Sequence, residues 1–298
     1  MTGRLSILLD NYNVWLRTKF LSLPGIARIA IVVIIFVISS IIAGLLLPEG
    51  IDWTHTYRPA ALAVLSGKSP FTVDIFFSAP WAVLPLIPFA ILPEQIGRGF
   101  IFVIGILVFA YTAIRLGAKP IALTAFLLSP PIWHCLLNSN IEWMPLVAYV
   151  LPPKFGLFLI PIKPQIGIGA AIFWLSEAWR NRNIREFIGD FAPATLLLGL
   201  SFVVFGVWPL RFTDTLALTQ EYNQSLWPMS IPVGLGLLAY AIRKQSIRHA
   251  MAASPCLSPY VLLHAWSGAL AAVLTDDFVT VCSVLGLWIL MAIRWLNG

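Results

Sequence analysis

The hydrophobic pattern opens with one long run, IARIAIVVIIFVISSIIAGLLL over residues 26–47, and thereafter breaks into shorter pieces. A run of that length, charged only at Arg28, predicts a membrane-crossing helix. Apolar segments follow at 81–93, 99–116 and 120–137, and the proline-rich region 141–178 reads as a short span and then a longer one. Further spans fit at 190–209, 228–243, 250–273 and 278–296. The expectation is an all-α fold, a polytopic transmembrane helical bundle of about ten membrane segments with both termini inside. Segments 81–93 and 141–151 are too short for a full crossing, which predicts re-entrant elements.

Two polar stretches frame this pattern. Residues 1–25 set Arg4, Arg17 and Lys19 among leucines, Trp15 and Phe20, as in an amphipathic helix lying on the cytoplasmic surface. Residues 48–80 form the one substantial outer loop, so 26–298 reads as a single transmembrane domain carrying that loop. Within it, His55 to Leu65 has helical apolar spacing, ended by Gly67 and Ser69-Pro70.

Composition agrees. The chain is 59% hydrophobic and 11% charged, with a mean hydropathy of +0.88, a balance foreign to soluble domains. Alternation of the spans places Arg4, Arg17, Lys19, Arg28, Arg98, Arg180, Arg182, Arg185, Arg243, Lys244, Arg248 and Arg294 inside. Outside fall Arg58, Lys68, Arg115, Lys119, Lys154 and Arg211. The net charge of +6 therefore encodes orientation and implies membrane lipids, not nucleic acid, as the partner. Cys135, Cys256 and Cys282 lie in apolar segments without metal-ligand spacing, and no cleavable signal peptide precedes Ile26.

Candidate chemistry begins with a lysine in an apolar run, PPKFGLFLIPIKPQIGIGAAIFWL, centred on Lys163, Pro164 and Gln165. About 17 residues at roughly 1.5 Å each separate it from the basic cluster Arg180, Arg182 and Arg185. That spacing puts the ammonium most of a bilayer thickness from the cytoplasmic face, where an ionisable group is a functional candidate. The alternative is a lysine that snorkels, or one solvated where Pro161 and Pro164 bend the helix. Asp52, where the first span ends, is either a capping carboxylate for the following helix or a reactive acid. His264, in SPYVLLHAWSGAL, is either a packing residue or a phosphate contact. Glu142 sits at a span boundary, His134 reads as structural, and Asp276 and Asp277, an acidic pair in a short outer loop, read as a solvated turn rather than as metal ligands. An acid can take a proton from a hydroxyl while a lysine and a histidine stabilise a departing phosphate.

In order along the chain stand Asp52, Tyr57, Ala60, Ala61, Gly67, Pro70 and Phe71. Then come the stretch FFSAPWAVLPLIPFAILP, Asn140 within SNIEW, Lys163-Pro164, and Ser258-Pro259 with His264 five residues after the proline. This series resembles the GT-C superfamily of integral-membrane glycosyltransferases over residues 26–270. Within that superfamily it is similar to the polyprenyl-phosphate-sugar-dependent mannosyltransferases of glycosyltransferase family 87 and their bacterial relatives. The resemblance implies a GT-C-like bundle and transfer of a mannose-like sugar from a polyprenyl-phosphate donor to a lipid or glycan acceptor. It implies no organic cofactor and leaves metal dependence open. Asp52 would be the general base, with Lys163, His264 and Arg58 at the donor phosphate and Tyr57, Gln165 and Asn140 supporting. The setting implied is a bacterial inner membrane with the site facing outside. A non-catalytic membrane subunit and a lipid-linked-sugar flippase are the rival readings.

Overall fold

The computed structural model describes residue 18 and residues 21–181, 184–213 and 220–297. Most of the expected surface helix at 1–25 lies outside the described residues. Among them every regular element is helical. Four helices are long and apolar enough to cross a membrane: Gly25–Leu46, Glu94–Arg115, Ile184–Phe205 and Asp277–Leu296. A fifth crossing arises if Pro120–Leu127 and Pro130–Asn138 are one span bent by 50°. The bend falls where Pro130 and Pro131 remove two backbone donors in succession. Outward-facing Val32, Ile35, Leu196, Leu200 and Val203 remain exposed, as lipid-facing positions must.

The other expected segments are shorter or interrupted, and proline is the common cause. Segment 141–151 becomes two short turns, Trp143–Val147 and Ala148–Val150. The longer span expected in 141–178 is not one helix: Pro153–Leu159 tightens into Ile160–Ile162, stops at Lys163, and restarts as Pro164–Asn181. The 250–273 run likewise stops after Ile247–Cys256 and resumes at Leu263–Trp266 and Ser267–Ala271. Ile231–Lys244 is continuous but only 14 residues long. Full-length crossings are therefore fewer than the apolar runs suggest.

The first two long helices run antiparallel. A Cβ on Gly99 would strike the Ser40 carbonyl oxygen and the Gly44 backbone, so glycine lets the two helices touch. Arg98 then caps the end of Gly25–Leu46. It donates to the carbonyls of Gly44 (2.7 Å) and Leu47 (2.9 Å), and to that of Pro48, where a helix C-terminus leaves acceptors unsatisfied. Glu94–Arg115 thus starts at the end where the first span finishes. Segment 81–93 makes no crossing, being the 3₁₀ run Pro80–Leu86 plus one turn, Ile87–Ala90. Arg98→Met is expected to cost about 3 kcal/mol, since bonds from a charged donor contribute roughly 1.5–3 kcal/mol; a lowered thermal midpoint in detergent is the readout.

This non-crossing segment changes the placement of charge. Arg248 donates to the Leu116 carbonyl (2.7 Å) and the Thr275 hydroxyl (2.8 Å), and Arg180 to Gln245. Asp277 accepts from the Ala122 N–H (3.1 Å) and Asp276 from that of Val279 (3.0 Å). Arg115, Lys119, Asp276 and Asp277 therefore share one end with Arg180, Arg243, Lys244 and Arg248, remote from Asp52. Alternation put Arg115, Lys119, Asp276 and Asp277 on the Asp52 side and Arg98 and Arg294 on the other, so each of these six is reversed. Arg294 lies near the far end of the helix that Asp277 begins. The start of the first long helix and the end of the last therefore fall at opposite ends of the bundle rather than together.

Two cores hold the molecule. The larger one, with Phe109, Phe126, Ile132, Leu146 and Met251, fills the middle of the bundle. There Tyr149 donates to the Ile166 carbonyl and lies 3.1 Å from Ser254 Oγ, which accepts from Gly169 N–H (3.0 Å). The smaller core joins Trp53, Tyr57, Phe71, Phe76, Ile141, Met144, Ile162 and Trp208. The 48–80 segment is thus a folded cap over one end of the bundle, with Trp53 and Phe76 fully buried.

Candidate functional site

Asp52 precedes a π-helical turn, Trp53–Tyr57, that runs into the helix Arg58–Leu65. Such wide turns recur at functional sites because they re-aim side chains. The carboxylate makes no capping bond to the helix it introduces. Its Oδ2 accepts instead from Asn140 Nδ2 at 2.7 Å. Asn140 Oδ1 in turn receives the Tyr57 hydroxyl at 3.4 Å. Burial raises the pKa of the Tyr57 phenol above its ordinary value, which keeps the hydroxyl a donor.

Asn140 is delivered by the end of Pro130–Asn138. Ser139 adopts a left-handed conformation (φ 56°), and the Asn140 N–H closes back on the Cys135 carbonyl at 2.9 Å. Lys163 is delivered by the interruption between Ile160–Ile162 and Pro164–Asn181. Its side chain is 8% exposed, and its Nζ lies 6.0 Å from the Tyr57 ring centroid, at the edge of cation–π range. His264 sits in the 3₁₀ turn Leu263–Trp266, after the second interruption. Its Nδ1 lies 2.8 Å from Glu142 Oε1, both side chains being almost wholly buried. The His134 ring centroid is 5.4 Å from that of His264. Asn138 Nδ2 donates to the His134 carbonyl at 2.8 Å.

These residues converge. One cavity of about 750 Å³ is lined by Asp52, Tyr57, Asn140, Lys163, Gln165 and His264, together with His134, Asn138, Ser258 and Pro259. Ile51, Ile75, Phe77, Phe212 and Leu262 supply its apolar wall, and Glu221, Tyr222 and Gln224 a polar one. Arg58 is the expected site residue that stands apart. It faces Glu94 (3.9 Å) and the Leu92 carbonyl (3.5 Å), and it does not line the cavity.

Two further residues, only weakly marked by their sequence context, belong to the site. Glu142 is fully buried behind His264, and His134 forms cavity wall. A signal for Glu142 was present: it is the sole acidic residue between Glu94 and Glu177, in an otherwise apolar stretch. His134 had no such signal, because its neighbour His264 is remote in sequence. Among the described residues no group of three or more His, Cys, Asp or Glu side chains is arranged to hold a metal ion.

Fold and site together define an all-helical protein with helices long enough to cross a membrane and a cavity lined by acid, lysine and histidine. No family model, curated protein or solved structure matches the chain.

Proposed function

We propose that the protein is a membrane glycosyltransferase using a polyprenyl-phosphate-linked sugar, with a mannose-like sugar the first to try. The observation that carries this reading is that Asp52, Lys163 and His264, far apart in sequence, line one cavity. In the reaction, the acceptor hydroxyl oxygen attacks the anomeric carbon as the bond from that carbon to the phosphate oxygen breaks. The hydroxyl proton passes to the Asp52 carboxylate, and the negative charge on the departing phosphate develops beside Lys163 and His264. The configuration at the anomeric carbon inverts. The cavity's apolar wall suits a donor whose other end is a hydrocarbon chain.

The contacts between helices suit nine crossings, with 143–162 a hairpin that enters and leaves from the Asp52 end. The basic end holding Arg115, Lys119, Arg180, Arg243, Lys244 and Arg248 would then face the cytoplasm, as positive residues do. The cavity would face outward, in a bacterial inner membrane. With the three native cysteines replaced by serine, Lys68→Cys should react with an impermeant maleimide on intact cells, and Lys119→Cys only after permeabilisation. Both positions are exposed, and the reverse pattern would refute the orientation.

The function itself is tested by incubating membranes with labelled polyprenyl-phospho-mannose and following label into an acceptor fraction. Transfer supports the reading. Movement of intact labelled lipid between leaflets without transfer would instead identify a transporter.

A further inference from the structure

Among the described residues Glu142 is the one acidic side chain in the fully buried set. It is not part of the cavity wall; it stands behind His264, which is. Oε1 lies 2.8 Å from His264 Nδ1, and Oε2 has no hydrogen-bond partner. A carboxylate with one oxygen orphaned in an apolar interior is costly, and neutral packing would be cheaper. The geometry also divides the imidazole's two nitrogens. Nδ1 is taken by Glu142, so Nε2 is the nitrogen left for a ligand in the space that His264 shares with Lys163.

We propose that Glu142 is a positioning residue. By accepting the Nδ1–H of His264 it fixes the ring's orientation and tautomer and favours a second proton at Nε2. His264 then offers an N–H to an anionic oxygen, next to the Lys163 ammonium. The ligand class is a phosphate monoester or diester at the head of an apolar chain. This rests on reading the cavity as a lipid-phosphate site. The other charged or titratable groups around the ring are His134, at 5.4 Å between centroids, and, on the same cavity, Asp52, Lys163, Glu221 and the phenols of Tyr57, Tyr222 and Tyr260. Each can bias the imidazole electrostatically, but Glu142 is the group bonded to it.

The test compares farnesyl phosphate with farnesol, binding to the full-length protein in detergent being followed by tryptophan fluorescence. Wild type should prefer the phosphate. Glu142→Gln should weaken farnesyl phosphate roughly tenfold, as loss of a charged hydrogen-bond partner does, and leave farnesol unchanged. In a His264→Gln background the same substitution should have no further effect, because Glu142 acts through that ring. Equal weakening in both backgrounds would mean a purely structural role and overturn the inference. A phosphate preference kept in full by Glu142→Gln would overturn it alone, and a wild type without the preference would overturn the lipid-phosphate reading with it. If Glu142→Gln does not fold, wild type still decides. In its [¹⁵N]histidine spectrum, the signal missing from His264→Gln must carry a proton on Nδ1, and a bare Nδ1 refutes the proposal.

Discussion

Asp52→Asn is expected to lower sugar transfer by about 10³-fold, within the range that a positioned general base contributes. Asparagine has nearly the same volume, and its carbonyl can still accept the 2.7 Å bond from Asn140. The thermal midpoint should therefore stay close to that of wild type, so that lost rate cannot be ascribed to lost fold. The amide cannot accept the acceptor hydroxyl's proton, and that is the single property removed. The measurement is the initial rate of label transfer from polyprenyl-phospho-mannose at saturating donor, with the midpoint taken on the same preparation. Wild-type rates in the variant would exclude Asp52 from the chemistry. Asp52 makes no capping bond to its helix, so the substitution does not remove a helix cap.

Lys163→Met should separate activity from stability as well, with stability held or raised. A preorganised cation beside a leaving phosphate is worth on the order of 10²–10³ in rate, and methionine fills the space without the charge. The lysine is 8% exposed, and its nearest aromatic partner is a ring centroid 6.0 Å away. Removing such a buried charge relieves desolvation, so the thermal midpoint should hold or rise while transfer falls. A lysine that merely snorkels would give the converse, with rate intact and packing altered. Parallel measurement of transfer and thermal midpoint distinguishes the two.

The sequence conveys helical class and membrane character because apolar runs are read locally. Residues 26–47 map almost one-to-one onto Gly25–Leu46. What hydropathy misses is continuity. Pro161 and Pro164, or Pro255 and Pro259, hardly lower the apolar average, yet each pair marks a place where the helix stops. Side placement failed for a related reason: the false crossing at 81–93 reverses Arg98, Arg115 and Lys119, the false crossing at 141–151 restores the sense, and the break within 250–273 reverses Asp276, Asp277 and Arg294 again. Within the site, Asp52, Tyr57, Asn140, Lys163, Gln165 and His264 were legible from their types and order, and they line one cavity. Arg58 was not separable from them in sequence, since its displacement depends on Glu94, which only the folded chain brings near. The Glu142–His264 contact spans 122 positions. No local pattern specifies a pair at that distance.

The interruption at Lys163 bears on how the chain is built into a membrane. Pro153–Leu159 and Ile160–Ile162 are together too short to partition into lipid as an independent span, and their broken backbone needs protein or water around it. Their chief helical neighbours, Ile184–Phe205 and Pro164–Asn181, are both synthesised later, while from the earlier chain Trp81 donates to the Phe158 carbonyl at 2.7 Å and Tyr57 shares a core with Ile162. The later segment carrying Ser258 and His264 then closes the remaining wall. The place of the lysine is thus begun by Tyr57 and Asn140 but closed only by helices made after it, so this part of the bundle assembles late and as a unit.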